Sequence, residues 1–184
     1  MTLHIVHFSG AVNPAACYNI QSTCLQALTQ GATRIRLHLA SEGGSTLYGF
    51  ALYNFLRSLP VAVDTHNLGS ISSMANIVFL AGEVRTACQH SRFLQHPLNW
   101  HYNAGPVDHS RLVEHSRLLD DDLERYADIF TERTAGCAEP FDINRCLNGS
   151  AQIMKPPAAA AAGLIHDIAD VRIPAGTPTW WANS

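Results

Sequence analysis

Residues 69–96 read GSISSMANIVFLAGEVRTACQHSRFLQH, and the fold follows from how they are parsed. Gly69 opens a small-residue turn, a short apolar helix follows with Ser72 and Ser73 at its start, and two short strand-like pieces over Glu83–Gln95 end on His96. A hydroxyl at a helix N-terminus sits among unpaired backbone N–H groups that favour developing negative charge. A histidine at a strand end can project into the same cleft, and the two together are the minimum equipment for acyl transfer. A serine at a helix start is equally an N-cap, so on these residues alone both roles stand for Ser72 and Ser73. The G-x-S-x-G elbow of hydrolases is not met, because Ile71 occupies the first glycine position relative to Ser73.

Working outward, Ile35, Leu37 and Leu39 alternate with Arg36 and His38, the period of a strand with one buried face, which puts His38 on the rim or solvent side. Ser41–Ser45, SEGGS, then opens a helix through Leu47, Phe50, Tyr53 and Leu56 that stops before Pro60, and Val61–Leu68 is the next strand. Paired glycines let backbone approach a ligand and turn N–H groups into a cavity. Neither G-x-G-x-x-G nor a GK[ST] ending accompanies them, so a phosphate loop is not indicated. Two strand-to-helix turns on neighbouring parallel strands lie at one edge of the sheet, where open α/β folds place ligands.

The flanks read as follows. His4–Phe8 is a strand, and residues 14–30 form a helix between the Asn13 cap and Gly31, burying Ala16, Ile20, Cys24, Leu25 and Leu28. Asp108 caps a long helix to Thr134 whose apolar set is Leu112, Leu118, Leu119, Leu123, Tyr126, Ile129 and Phe130. Pro156–Ala162 is a short helix, Asp167–Ile173 a last strand, and PAGTPTWWANS a loop whose Trp180-Trp181 pair is placed to cover a neighbouring subunit.

With 184 residues, 47% of them hydrophobic and 15% charged, the chain has material for one core, and residues 1–184 are expected to form a single domain. A net charge of −3 without a basic stripe argues against nucleic acid and anionic membrane as partners. No apolar run approaches the ~20 residues of a membrane helix and no signal peptide is present, so the expected location is the cytoplasm. Cys17, Cys24, Cys88, Cys137 and Cys146 are an odd set without CxxC pairing, which fits reduced thiols and neither a disulfide framework nor a metal site. No cofactor motif is present.

GGS at Gly43–Ser45, G-x-x-x-S-M-A at Gly69–Ala75 and S-R-x-x-x-H-P at Ser91–Pro97, in that order, resemble the proteolytic subunit of the Clp protease, the ClpP family. The similarity runs from HIVHFSGAV at the first strand to GLIHDI near the end. It implies the ClpP/crotonase fold, an α/β spiral of strand-strand-helix units with a long handle helix at about 107–135. It also implies Ser73 as nucleophile, His96 as general base, and an oxyanion hole from the backbone N–H groups of Gly44 and Met74. The family's aspartate position is occupied by Ala151, which leaves Asn148, Ser150 and Asp142 as candidates for the third member of the triad. Ser-Glu-Gly-Gly replaces the family's Ser-Pro-Gly-Gly and puts Glu42 at the cleft edge. Asn99–Gly105, with Trp100 and Tyr102, resembles the segment that lines the substrate groove.

As partners the resemblance implies a peptide or unfolded-protein substrate and a homo-oligomeric ring, with room for paralogous subunits. The family's axial loops, which help engage an AAA+ unfoldase, have no counterpart ahead of the first strand, so an unfoldase partner is not expected. The function expected is serine endopeptidase activity through a Ser-His acyl-enzyme with an atypical third member and slow turnover; the alternative is a catalytically impaired structural or regulatory ring subunit. A crotonase-type acyl-CoA enzyme would want a lysine-rich phosphate clamp, and Lys155 is the only lysine. The same count argues against a Ser-Lys dyad.

Overall fold

The computed structural model describes residues 2–99 and 105–183. A parallel unit recurs three times at the start: β1 (Leu3–Val12) and α1 (Pro14–Thr29), β2 (Arg34–Gly44) and α2 (Thr46–Ser58), β3 (Ala62–Ser72) and α3 (Ala75–Leu80). β4 (Arg85–Ala87), β5 (Arg92–Gln95), α4 (His109–Arg133), α5 (Asn144–Leu147), β6 (Gln152–Met154), α6 (Pro156–Ala161), β7 (Asp167–Ile168) and β8 (Thr179–Ala182) complete the described chain. The sheet runs β6-β5-β3-β2-β1-β8, with β4 beside β3 and β7 beside β4. All of these pairings are parallel except β5 with β6.

Local chemistry accounts for the helix boundaries. The Asn13 side chain accepts the Ala16 N–H at 2.8 Å and Pro14 follows at the first helical position, while Asp108 accepts the Arg111 N–H at 2.9 Å and starts α4. α1, α2 and α3 bury Ile20, Phe50, Leu52, Ile77 and Phe79 against Val6, Phe8, Ile35, Leu37 and Leu39 of the sheet. α4 differs along its length. Tyr126 and Phe130, near its C-terminal end, are buried in the same core, whereas Leu112 and Leu118 nearer the start are exposed.

Several expectations need correction. Gly69 is not a turn: β3 continues through it to Ser72, because β5 pairs with Ser70, Ile71 and Ser72 and extends the ladder. Leu25 is exposed, lying on the outer side of α1. The strand expected over Asp167–Ile173 is two residues long, at Asp167–Ile168, and the tail is not loop throughout, since Thr179–Ala182 pairs with Ile5–Phe8. Trp180 and Trp181 consequently stack on His4 and His7 of their own chain.

His38 is not at the rim. It is 1% exposed, between His7 and His66 at matching positions on β1, β2 and β3, with ring centroids 4.8 and 5.3 Å apart. The alternation in β2 is real, but both faces of this parallel sheet are covered. To pass from β7, beside β4, to β8, beside β1, residues 169–178 must cross the sheet, and Asp170 acts electrostatically on His66.

Candidate active site

β2 and β3 end at the same edge of the sheet, and their ends pack against each other. Gly43 has φ +92°, and a Cβ there would lie 2.6 Å from Ser72 O and 2.7 Å from Ser73 Cβ, so glycine is required for the two turns to meet. Gly44, with φ +149°, is pressed against the Val12 carbonyl in the same way. A cavity of about 610 Å³ opens here, lined among others by Glu42, Gly43, Gly44, Leu47, Ser73, His96 and Leu98.

Ser73 has φ +52°, and among the described residues no other non-glycine residue has a positive φ. Such a conformation costs of order 1–3 kcal/mol and persists only where its surroundings over-determine it. Here the surroundings do so. The Ser73 N–H donates to Leu94 O at 3.0 Å, and the Ser73 carbonyl accepts from the Asn76 N–H at 2.9 Å, the Asn76 side-chain amide at 2.9 Å and the Tyr126 hydroxyl at 3.1 Å. The Asn76 amide also donates to Leu94 O at 2.9 Å. Tyr126 Oη lies 2.8 Å from the Gln95 side-chain amide. A hydroxyl has one proton to give, and as placed both the Ser73 carbonyl and Gln95 Oε1 lie within its reach. Turning the Gln95 amide over sets its NH₂, which otherwise has no partner in this buried place, against the phenol oxygen and leaves the hydroxyl proton to the Ser73 carbonyl. The turn is thus tied to β5 and to α4.

The sheet register sets the position of the histidine. Ser72 pairs with Leu94, so the chain leaving β5 carries His96 to the cavity wall beside the Ser73 turn. His96 Nδ1 lies 2.7 Å from the Pro97 carbonyl oxygen. A carbonyl can only accept, so Nδ1 carries a proton, and in the neutral ring Nε2 is the nitrogen with the free lone pair. Among the described residues, Ser73 Oγ makes no hydrogen bond, to His96 or to any other group.

Ser73, His96 and Gly44 line one cavity. Met74 contributes backbone to the same corner, its N–H unpaired among the described residues and its side chain fully buried against Gly49, where any Cβ would collide with it. Ser72 is not in the cavity wall; its hydroxyl lies 3.5 Å from that of Ser70. The three candidates for the third triad member do not join the site. Asp142 is exposed and accepts the Asn144 N–H at 3.1 Å, Asn148 and Ser150 are exposed, and none of them lines the cavity or bonds to His96. Of the groove segment, Asn99 lines the cavity, while Trp100 and Tyr102 lie outside the described residues.

Asn76 stands out in the sequence as a polar group near the mouth of a buried helix, but its buried partners Gln95 and Tyr126 escaped the sequence reading, which counted Tyr126 with the apolar stripe of α4. The available signal was a tyrosine in a leucine set together with a glutamine immediately before the histidine. Burial pushes the Tyr126 phenol up from its ordinary value, so it stays a neutral donor. Among the described residues no group of three metal-ligating side chains occurs, and no helix is long and apolar enough to cross a membrane.

Comparison with known proteins agrees with this architecture. The ATP-dependent Clp protease proteolytic subunit of Pinus thunbergii is 28% identical over 133 residues, covering 70% of this chain and 64% of that one. The subunit of the same name from Cyanophora paradoxa is 33% identical over 95 residues, covering 50% of this chain and 49% of its own. The match spans less than two thirds of the length of these relatives. Among solved structures, a mutant of ClpP1 from Listeria monocytogenes superposes with a TM-score of 0.78 over 92% of each chain at 18% identity, which identifies the α/β fold as that of ClpP. Residues 3–172 match the family model described as Clp protease, and the chain belongs to that family.

Proposed function

We propose that the protein is a Clp-type proteolytic subunit that hydrolyses peptide bonds through a Ser73 acyl-enzyme. The observation that carries this reading is the pairing, on one cavity wall, of a serine held at φ +52° with a histidine whose Nδ1 proton is fixed by the Pro97 carbonyl. His96 Nε2 is then the base. As Ser73 Oγ attacks the substrate carbonyl carbon, Nε2 takes its proton, and the oxyanion is held by the N–H groups of Met74 and Gly44. Collapse breaks the C–N bond, Nε2 returns the proton to the leaving amine, and water repeats the sequence to free the acid. The substrate is a peptide or unfolded protein, and no cofactor takes part.

The exposed Leu112 and Leu118 on α4 support its role as a handle between rings, and the five free cysteines suit a reducing compartment such as the cytoplasm. A fluorophosphonate probe tests the chemistry: it should label the wild type at Ser73 and leave Ser73→Ala unlabelled. Folded protein that takes no label overturns the reading.

A second reading, an impaired structural or regulatory ring subunit, is favoured by one observation. His96 is oriented by a neutral carbonyl instead of a carboxylate, which stabilises the imidazolium less. This reading predicts no labelling and co-assembly with an active paralogous subunit, visible by native mass spectrometry of mixed subunits.

A further inference from the structure

The peptide unit joining Ser73 to Met74 is held from one side only. Its carbonyl oxygen takes three hydrogen bonds, two from Asn76 and one from the Tyr126 hydroxyl. Its N–H, on Met74, donates to no described group. In a planar trans peptide the C=O and N–H vectors point in opposite directions, so whatever fixes the oxygen also aims the N–H. Asn76 lies three residues along the same chain and moves with the turn. Tyr126 does not: it comes from α4, is 1% exposed, and its oxygen is itself anchored by the side-chain amide of Gln95, the residue before His96.

We infer that Tyr126 is a positioning residue for the acyl-transfer site, its hydroxyl clamping the Ser73 carbonyl so that the Met74 N–H points at the developing oxyanion. The inference rests on the peptidase reading above and extends it to a residue of the long helix. Three physical effects act together. The clamp helps to hold Ser73 in its left-handed conformation. It fixes the plane of the oxyanion donor before substrate arrives, which removes reorganisation from the reaction step. Hydrogen bonding at the carbonyl also polarises the amide and makes its N–H a stronger donor. The same phenol oxygen lies 2.8 Å from the side-chain amide of Gln95, so one side chain ties the nucleophile turn to the strand that leads to His96.

Tyr126→Phe removes the hydroxyl and keeps the ring in the core. In fluorophosphonate labelling of the full chain, the maximal labelling rate should fall about 5- to 20-fold with the apparent probe affinity unchanged, as expected when an interaction made in the transition state is weakened. Thermal unfolding measured alongside separates a general loss of stability from this effect, since a purely structural hydroxyl would lower the melting temperature and leave the rate per folded site unchanged. A labelled wild type with an equally fast Tyr126→Phe variant overturns the positioning role alone. A wild type that takes no label overturns the peptidase reading, and this role with it. A crystal structure of the wild-type chain decides independently of whether the variant folds: Tyr126 Oη beyond hydrogen-bond reach of the Ser73 carbonyl overturns the inference.

Discussion

The Nδ1–H of His96 donates to the Pro97 carbonyl oxygen at 2.7 Å, a backbone partner where a carboxylate would hold more positive charge. Under the proposed mechanism this orients the imidazole without a full counter-charge, and a neutral partner stabilises the imidazolium less than a carboxylate would. His96→Ala should therefore still matter. General-base catalysis contributes roughly 10²- to 10⁴-fold, and the Ser73 labelling rate of this variant should fall within that range. A rate within about twofold of wild type would remove His96 from the mechanism.

Gly43 is where the two turns touch. Its φ is +92°, and a side chain there would bring Cβ to 2.6 Å from Ser72 O, a backbone atom that cannot step aside. Gly43→Ala should lower stability by about 2 kcal/mol or more and slow Ser73 labelling. Chemical denaturation and labelling of the folded fraction measure the two effects separately. Unchanged values of both would show that the turns are not in contact.

Arg85, at the start of β4, is 3% exposed and pairs with no carboxylate among the described residues. Its guanidinium donates instead to the carbonyls of Gly82, Arg133, Leu164 and Gly163, joining the end of α4 to the loop after α6. Burial, with Arg133 nearby, lowers its pKa to about 10, so it remains charged at neutral pH. The planar fork suits four carbonyls in different directions, which an ammonium cannot match. Arg85→Lys should cost about 2 kcal/mol, read as a lower urea midpoint at unchanged slope. An unchanged midpoint would show that the fork is not what joins these segments.

The histidine row gives the fold an acid limit. Burial is the main reason that the pKa of His38 falls to about 3 and that of His66 to about 4, with His7 lowered as well. Arg36 adds to the lowering at His38 and His66, and Asp170 opposes it at His66. Below pH 6.5 the unfolded chain takes up protons that the folded chain refuses, so stability falls as pH drops from 6.5 toward 3 and is undiminished above that window. At pH 5 the loss should be about 2 kcal/mol for each of His38 and His66. A His38→Phe variant should retain more of its neutral-pH stability at pH 5 than the wild type does; equal losses would mean that the row does not govern acid unfolding.

The helix boundaries were readable because their causes are local. Asn13 and Pro14 start α1, Asp108 starts α4, and Pro60 follows the end of α2, each acting within one turn of its own position. The ordered GGS, SMA and HP motifs carried the family for the same reason, since the residues themselves are the signal. Where sequence reading failed, the cause was distant. Gly69 stays in a strand because β5, more than twenty residues later, pairs with its neighbours. His38 is buried because β1 and β3 set His7 and His66 on either side of it, and Thr179–Ala182 is a strand through its pairing with β1.

The site divides along the same line. Residue types nominated a serine of the Ser72–Ser73 pair and His96, and the resemblance of the ordered motifs singled out Ser73. Which group orients His96, and which hydroxyl holds the Ser73 carbonyl, was decided by tertiary structure. The first is a contact to the backbone of the next residue, which any residue type supplies, and the second comes from a helix lying 53 residues further along the chain, so neither leaves a pattern in residue order.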